Sequence, residues 1–183
     1  MRYKLVLPVG LDLRIAEESD EAFMERLFGL AHDYFYAMNV PEQYVNAIVK
    51  QQYQLQKNSY QHQWPEANTF IIRWCGQSIG RIIIYEEQGL LHFIDCAFVP
   101  EKRSKGYGTS ILRTAQALAR EHQLLLKLSV EKHNQRAKKL YLSVGFEVVE
   151  ESASHDIMTW RPPVVSAMEH PVSERSASDQ NPV

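Results

Sequence analysis

A short stretch of the chain places basic residues and closely spaced glycines directly after an apolar segment. Residues 95–109 read DCAFVPEKRSKGYGT, in which Pro100 ends the apolar run and Gly106 and Gly108 open a helical pattern. The first N–H groups of a helix have no intrahelical partner, the helix dipole is positive there, and glycine lets the main chain approach an anion. The stretch therefore predicts a phosphate-binding turn, to which Arg103 and Lys105 would add positive charge.

Two glycines alone are also compatible with an ordinary turn between a strand and a helix. Two familiar phosphate-binding motifs are excluded. A P-loop requires Lys after its second Gly, followed by Ser or Thr, whereas Lys105 precedes Gly106. A dinucleotide fingerprint requires a small residue three places after Gly108, and that place is held by Ile111.

A second stretch, residues 134–146, reads NQRAKKLYLSVGF. Its apolar residues recur at helical spacing and fall on one face, and Gly145 follows as a typical helix end. Those apolar-face residues are Ala137, Leu140, Tyr141 and Val144.

Together the two stretches resemble the GNAT superfamily of acyl-CoA-dependent N-acyltransferases. The resemblance rests on the pattern P-x-x-R-x-x-G-x-G from Pro100 to Gly108, followed by N-x-x-A-x-x-L-Y-x-x-x-G-F from Asn134 to Phe146. The strong match covers Asp95 to Phe146, and the flanks to about Pro162 match in pattern only. The resemblance implies an α/β (α+β) GNAT acyl-CoA N-acyltransferase fold, with a mixed central sheet of about six to seven strands and flanking helices.

The resemblance also implies that acetyl-CoA is the acyl donor substrate. The strands ending at Val99 and Val130 should separate to admit the pantetheine arm, which would contact the main chain of Phe98 and Val99. Asn134 caps its helix by residue type alone, and relatives also use this position near the cofactor. The residues expected to contact the diphosphate are Arg103, Ser104, Lys105, Gly106, Tyr107, Gly108 and Thr109.

Tyr141 is the candidate general acid. A phenol with a reference pKa near 10 stays protonated at neutral pH and can donate a proton or a hydrogen bond to a departing thiolate, whose conjugate thiol has a pKa near 8.5. The alternative is that Tyr141 is a core tyrosine on the apolar face of its helix. The family pattern favours the catalytic interpretation.

Asp95 is the candidate general base. A lysine-like amine is neutral in only about one molecule in 2,500 at pH 7, so such an acceptor needs help to lose its proton. His92 and Glu131 are further candidates. The alternative is that Asp95 is a paired structural carboxylate, because carboxylates on buried strands usually are.

Composition restricts the partners and the compartment. The 183 residues are 45% apolar and 23% charged, with a formal net charge of −2. The chain therefore lacks the excess of positive charge that would predict binding to nucleic acid or to a membrane surface. The apolar run before Pro8 is too short for a signal peptide, and we expect a cytoplasmic protein. Cys75 and Cys96 are expected to be small buried residues. No Cys/His pattern has metal spacing, and no metal is predicted.

Apolar periodicity predicts the elements that position these residues. One helix should be capped by Ser19 and should bury Phe23, Leu27, Leu30, Ala31, Tyr34 and Met38, and the next should open at Pro41. Glycines at 76 and 89 should join three antiparallel strands. The predicted strands are 11–15, 68–75, 78–85, 90–99, 124–130, 146–150 and 156–161. The predicted helices lie between residues 19 and 38, 41 and 62, 106 and 122, and 134 and 145.

One GNAT domain is predicted over residues 11–162. Residues 1–10 form an extension, and residues 163–183 have the polar composition of a disordered tail. Relatives often form homodimers, which makes a homodimer one option. The Met38–Glu42 connection and the 150–156 hairpin should flank the acceptor. The acidic residues Glu147, Glu150, Glu151 and Asp156 either attract a cationic amine or belong to a solvated hairpin.

Two classes of function follow. The first is an N-acetyltransferase acting on an unidentified amine by direct attack in a ternary complex. The second is a non-catalytic GNAT-fold module that binds acyl-CoA as a regulator or adaptor, since fold alone does not fix function. The sequence contains no unambiguous general base, which favours the binding module, whereas the two matched motifs favour the acetyltransferase.

Overall fold

The computed structural model describes residues 7–37 and 39–163. Within them lie four α-helices, α1 Glu21–Ala31, α2 Glu42–Gln63, α3 Tyr107–Glu121 and α4 Gln135–Ser143. The strands in the same part of the chain are β1 Leu11–Ile15, β2 Asn68–Trp74, β3 Gln77–Glu87, β4 Leu90–Phe98, β5 Leu125–Glu131, β6 Glu147–Glu151 and β7 His155–Trp160. The predicted tail from Val164 to Val183, residues 1–6 and Met38 lie outside the described residues.

All the strands form one mixed sheet in the order β1-β2-β3-β4-β5-β7-β6. Only β4 and β5 pair in parallel; the other neighbours among the described strands are antiparallel. The parallel pair arises because α3 carries the chain across the sheet between the two strands. The predicted mixed sheet with flanking helices is confirmed.

Two apolar layers cover the two faces of this sheet. The larger joins Leu91, Phe93 and Leu126 to Ile111 and Leu112 of α3. The other joins Ile71 of β2 to residues of α1 and α2, including Phe28, Val49 and Tyr53. Side chains that alternate along β4 therefore face α3 and α4 on one side and α2 on the other.

The start of α1 differs from the prediction. Ser19 lies in a single 3-10 turn, Glu18–Asp20, and α1 begins only at Glu21. Its buried residues are Met24, Leu27, Phe28 and Gly29, whereas the predicted Ala31 and Tyr34 are exposed. The reason is that α1 stops at Ala31, and the 3-10 turn that follows directs residue 34 away from the core.

The hairpin between β2 and β3 corrects the expectation for Cys75. Its turn is formed by Cys75 and Gly76, with φ values of 48° and 79°. Two consecutive residues with positive φ match the twist of a tight hairpin. The turn therefore begins one residue earlier than predicted, and Cys75 is exposed instead of buried. Cys96 is half-buried and packs against the larger apolar layer, as expected.

Candidate active site

A gap opens between β4 and β5 at the centre of the sheet. The two strands pair only from Leu90↔Leu125 to Phe93↔Leu128. On the other side of β4, Ile84 pairs with Phe93 and Ile83 with Asp95, which leaves Ile94 as a bulge. The extra residue bends β4 away from its parallel neighbour. The predicted separation of the two strands is thus present, and it begins at the bulge.

The gap leads to the turn that was predicted to bind phosphate. After a 3-10 turn over Pro100–Lys102, Ser104 and Gly106 have φ values of 59° and 83°, and α3 begins at Tyr107. Residues of alternating φ direct successive N–H groups into a common concavity that suits an anion. A Cβ atom added at Gly106 would meet nothing within 4 Å, so the turn is open and not filled by side chains. The open turn fits a diphosphate.

Arg103 has a different role from the expected one. Its Nε donates to the carbonyl oxygen of Phe98 at 2.9 Å and its Nη2 to that of Leu30 at 2.7 Å. The guanidinium therefore ties the end of β4 to the C-terminal turn of α1, where carbonyl oxygens lack helical partners. This side chain fixes the turn and does not face the anion site.

Arg136 supplies a cation that the sequence did not reveal. Its Nη2 donates to the Ser104 Oγ at 2.6 Å, so the first turn of α4 reaches across to the glycine turn. Arg136 and Lys105 are both exposed at this end of the molecule. The positive charge beside the predicted diphosphate site therefore comes from these two side chains.

The two main-chain contacts expected for pantetheine are not equivalent. The Val99 N–H donates to the Ile79 carbonyl at 2.9 Å, and the Val99 carbonyl accepts from Lys102. Because neighbouring residues of a strand direct their N–H groups to opposite sides, the Phe98 N–H points toward the gap. Phe98 remains available on this geometry, whereas Val99 is used within the fold.

Tyr141 lies on the α3 side of the gap. Its residue is half-buried, and its ring packs 5.9 Å from the ring of Phe146. Burial raises the pKa of Tyr141 well above its ordinary value, and the nearby Asp95 carboxylate on β4 raises it further. The phenol is therefore protonated at any physiological pH.

Asp95 is held by a buried arginine. Its Oδ2 accepts from Arg81 Nη2 at 2.5 Å, and the Arg81 side chain is only 7% exposed. A carboxylate that neutralises a buried guanidinium loses that stabilisation if it takes a proton. The structural alternative for Asp95 is therefore present, and its proposed action on an amine has to be compatible with this ion pair.

Asn134 caps α4. Its Oδ1 accepts from the Ala137 N–H at 3.1 Å, so the capping interpretation from residue type is confirmed. This cap fixes the start of the helix that carries Arg136 and Tyr141. A contact of Asn134 with a bound cofactor remains a prediction.

His92 and Glu131, the further candidates for the general base, differ in their exposure to solvent. His92 faces α2, and burial lowers its pKa. Its Nε2 is buried without a hydrogen-bond partner among the described residues. Glu131 lies on β5 across the gap, with its side chain 49% exposed and its Oε2 2.9 Å from His133 Nε2. Glu131 is thus the carboxylate with more access to water.

The acidic hairpin is less free than the sequence indicated. Asp156 is buried, and Lys138 and Lys132 lie 2.5 Å and 3.6 Å from its carboxylate. The hydrogen bond from Lys138 lowers the pKa of Asp156. Glu151 pairs with Lys132 at 3.1 Å. Asp156 is therefore not an open binding group for a cationic amine, which corrects that part of the expectation, whereas the Glu151 side chain remains 65% exposed.

Across residues 7–37 and 39–163, no cluster of three or more His, Cys, Asp or Glu side chains is arranged to hold a metal ion. None of the helices described combines the length and apolarity that a membrane crossing requires.

The family is established by sequence. Residues 24–146 match the model of the Acetyltransferase (GNAT) family. The chain therefore belongs to the GNAT family of acetyltransferases. A comparison with curated proteins gave no match.

Solved structures share the fold over most of the chain. The PaiA N-acetyltransferase of Thermoplasma acidophilum in complex with coenzyme A has a TM-score of 0.62 and 18% identity, covering 82% of this chain and 98% of that one. The spermidine N-acetyltransferase of Vibrio cholerae with CoA and spermine has 0.60 and 18%, covering 84% and 96%. YncA of Salmonella typhimurium with acetyl-CoA has 0.53 and 15%, covering 87% and 98%.

Proposed function

We propose that this protein is an N-acetyltransferase that transfers the acetyl group of acetyl-CoA to an amine by direct attack. The observation that carries the proposal is that the open glycine turn and the Tyr141 phenol border the same gap between β4 and β5. One end of the gap is suited to a diphosphate, and the other presents a protonated donor. Neighbours of the same fold that hold CoA or acetyl-CoA support this assignment.

The donor is held by the start of α3 and its surroundings. The N–H groups from Ser104 to Thr109, with the charges of Lys105 and Arg136, bind the diphosphate. The Phe98 N–H, at the end of β4 next to the glycine turn, binds the pantetheine arm. A main-chain N–H directed at the thioester oxygen would also stabilise the negative charge that develops there.

The reaction forms a C–N bond and breaks the thioester C–S bond. The amine nitrogen loses one proton and the thiolate gains one, so the products are an amide and a thiol. Tyr141 donates a hydrogen bond to the departing sulfur and delivers its proton as the C–S bond breaks. Because the raised pKa makes this phenol a weaker acid than the thiol, Tyr141 stabilises the thiolate mainly by its hydrogen bond, and any proton that it gives up is replaced from solvent.

Asp95 orients the amine in this scheme. The Arg81 ion pair fixes the position of the carboxylate, which accepts a hydrogen bond from the attacking nitrogen. The proton itself leaves through water, for which Glu131 on the opposite wall is the nearest exposed acceptor on β5. An acceptor with an α-amine near pKa 7.8 is neutral in about one molecule in seven at pH 7 and needs little further help.

The second candidate is a non-catalytic acyl-CoA-binding module. The Arg81–Asp95 ion pair favours it, because no unpaired carboxylate on β4 is available as a base. A purely binding protein would hold acetyl-CoA but would release no thiol above the spontaneous rate.

Thiol release from acetyl-CoA in the presence of different amines distinguishes the two. Monoamines, polyamines, amino-acid amides and short peptides are each mixed with the protein and acetyl-CoA, and the acetylated amine is confirmed by mass spectrometry. Because the exposed Cys75 would itself react with a thiol reagent, the assay uses Cys75→Asn, a residue that tolerates positive φ. If the protein acetylates any of these amines and Tyr141→Phe lowers that turnover, the enzyme is supported. If acetyl-CoA binds but no amine is acetylated, the non-catalytic module is supported.

A further inference from the structure

Tyr60 of α2 lies against β4 at the level where the gap begins. One helical turn earlier, Gln56 shares with Asp95 a hydrogen bond to the same buried guanidinium of β3. One turn later, just past the helix end, the ring centroid of Trp64 lies 6.5 Å from that of His92. Residues four apart in a helix share one face, so Tyr60 faces the stretch of β4 between Asp95 and His92. The parallel pairing of β4 with β5 ends within that stretch.

Carboxylates stand on both walls of the gap on the side that Tyr60 faces. Asp95 faces α2, because its guanidinium partner also contacts that helix. On β5, Leu128 and Val130 belong to the apolar layer beneath α3, so the alternation of side chains directs Glu131 to the α2 side. Burial is the main cause of the raised pKa of Tyr60, and the charges of Asp95 and Glu131 raise it further. Both carboxylates are therefore close to this phenol.

The Tyr60 hydroxyl has no partner within the fold. It makes no hydrogen bond with the described residues, and its half-buried ring packs against Trp64 with the centroids 5.8 Å apart. Tyr60 also lines a cavity of about 180 Å³ beneath α2, so protein does not enclose it on every side. By contrast, Tyr53, two turns earlier, is 1% exposed and belongs to the core. A phenol whose ring is fixed and whose hydroxyl is unused can donate one hydrogen bond and accept another.

We propose that Tyr60 carries the proton of the acceptor amine out of the reaction gap. Its hydroxyl oxygen accepts a hydrogen bond from the attacking nitrogen, and its O–H donates toward Glu131. As the C–N bond forms, the N–H bond breaks and that proton bonds to the Tyr60 oxygen, while the original hydroxyl proton passes through water to the Glu131 carboxylate. Glu131, 49% exposed, releases it to solvent. One proton leaves the nitrogen and the phenol is restored.

This inference rests on the proposed acetyl transfer and divides its two proton transfers between two tyrosines. Tyr141, on the α3 side of the gap, serves the departing sulfur, and Tyr60, on the α2 side, serves the nitrogen. Asp95 keeps its ion pair with Arg81 and only orients the amine. The lack of an unpaired carboxylate on β4 is therefore compatible with catalysis.

Tyr60→Phe removes the hydroxyl and keeps the ring against Trp64. The probe is the amine that wild type acetylates fastest among the monoamines, polyamines, amino-acid amides and short peptides of the thiol-release assay. We expect kcat/KM for that amine to fall at least about tenfold, the smallest effect of losing a hydrogen bond to a group that becomes charged. Because wild type and variant are compared with the same amine, its neutral fraction cancels.

A loss of structure is excluded by two measurements and a control variant. The Kd for acetyl-CoA and the melting temperature should stay at their wild-type values in Tyr60→Phe, because the removed hydroxyl has no partner in the fold and faces away from α3. Tyr44→Phe alters an exposed tyrosine in the first turn of the same helix and should keep the full kcat/KM. Unchanged kcat/KM in Tyr60→Phe, or an equal loss in Tyr44→Phe, would overturn the assignment.

Glu131→Gln tests the path beyond the phenol. If Tyr60 and Glu131 pass the same proton, the double variant Tyr60→Phe/Glu131→Gln should be no slower than the slower single variant, because residues that act as a unit are not additive. A packing role for Tyr60 would not produce this coupling. Glu87→Gln removes an exposed carboxylate at the far end of β3 and should leave the effect of Tyr60→Phe unchanged. Losses that multiply in the Tyr60 and Glu131 pair would contradict the relay.

The outcome in wild type separates this role from the transferase itself. If wild type releases no thiol with any amine, the proposed acetyl transfer fails and the role of Tyr60 fails with it. If an amine is acetylated and Tyr141→Phe slows the reaction but Tyr60→Phe does not, only the role of Tyr60 is overturned.

Discussion

Lys138 Nζ lies 2.5 Å from the carboxylate of Asp156, whose side chain is 1% exposed. The pair joins α4 to β7, the strand that lies beside β5 in the sheet. Tyr141 follows Lys138 by three residues, about one turn further along α4. The position of the phenol over the gap therefore depends on a buried ion pair that takes no part in the chemistry.

Removing Lys138 should destabilise the protein in a pH-dependent way. Lys138→Met leaves the buried Asp156 carboxylate with only the more distant Lys132, so the melting temperature at pH 7 should fall. The pKa of Asp156 is lowered in the folded state, so its stabilisation is present above the unfolded pKa near 3.9 and is lost as pH falls through the folded pKa. The gap in melting temperature between wild type and variant should narrow below about pH 4.

Lys139→Met is the control for this variant, since Lys139 is an exposed neighbour on the same helix. It should melt as wild type does at every pH. A difference between Lys138→Met and wild type that stays constant from pH 7 to pH 3 would show that the ion pair is not its cause.

Gly106→Asp should abolish acetyl-CoA binding. At φ 83° the site accepts an aspartate only with strain, and the carboxylate would stand where the diphosphate is expected. Like charges in contact cost several kcal/mol, so Kd measured by calorimetry should rise at least about 100-fold. Gly89→Asp has nearly the same φ, 84°, and equally open surroundings at the opposite end of the sheet, and should bind normally. Equal weakening by both variants would attribute the loss to backbone strain alone.

Tyr141→Phe should lower kcat by about 100-fold or more, the usual contribution of a positioned acid. The Kd for acetyl-CoA should change little, because the hydroxyl is needed only when sulfur departs. Since the pKa of Tyr141 is raised, its protonated form persists above pH 10, so wild-type kcat should show no alkaline loss from this phenol below that pH. Tyr44→Phe alters an exposed tyrosine and should be silent. Unchanged turnover in Tyr141→Phe would remove the acid role.

Arg136→Ala should weaken acetyl-CoA binding in proportion to lost charge. The side chain contacts Ser104 at the edge of the anion site, and a single exposed cation beside a phosphate contributes about 1 kcal/mol, or roughly fivefold in Kd. The loss should shrink at high salt. Lys139→Ala removes an equal charge from the same helix away from the turn. If the two variants raised the Kd for acetyl-CoA equally, Arg136 would act through the overall charge of the protein and not through a local contact with the diphosphate.

Local patterns in the sequence predicted the parts of the site that depend on backbone conformation. Gly106 and Asn134 indicate a turn and a helix start because each residue type favours that conformation wherever it stands. The glycine turn and the α4 cap could therefore be predicted. The exposure of Cys75 was missed because a shift of one residue in a hairpin turn exchanges a strand position for a turn position.

Side-chain partners that are distant in sequence could not be predicted. Arg103 contacts Leu30, 73 residues away, and Arg136 contacts Ser104, 32 residues away. Neither contact produces a periodic pattern in the sequence, and both depend on how α1 and α4 pack at the end of the sheet. The pairing of Asp95 with Arg81 likewise requires the register of β3 and β4, which no single strand contains.

The bulge at Ile94 sets which residues of β4 meet which substrate. If Ile94 instead paired regularly with β3, Asp95 and Cys96 would exchange sides of the sheet, since side chains alternate along a strand. A chain shortened by one residue at this point would regain regular pairing and lose its opening for the donor. In this protein, a one-residue bulge in β4 separates the side of the sheet proposed for the acyl donor from the side proposed for the acceptor amine.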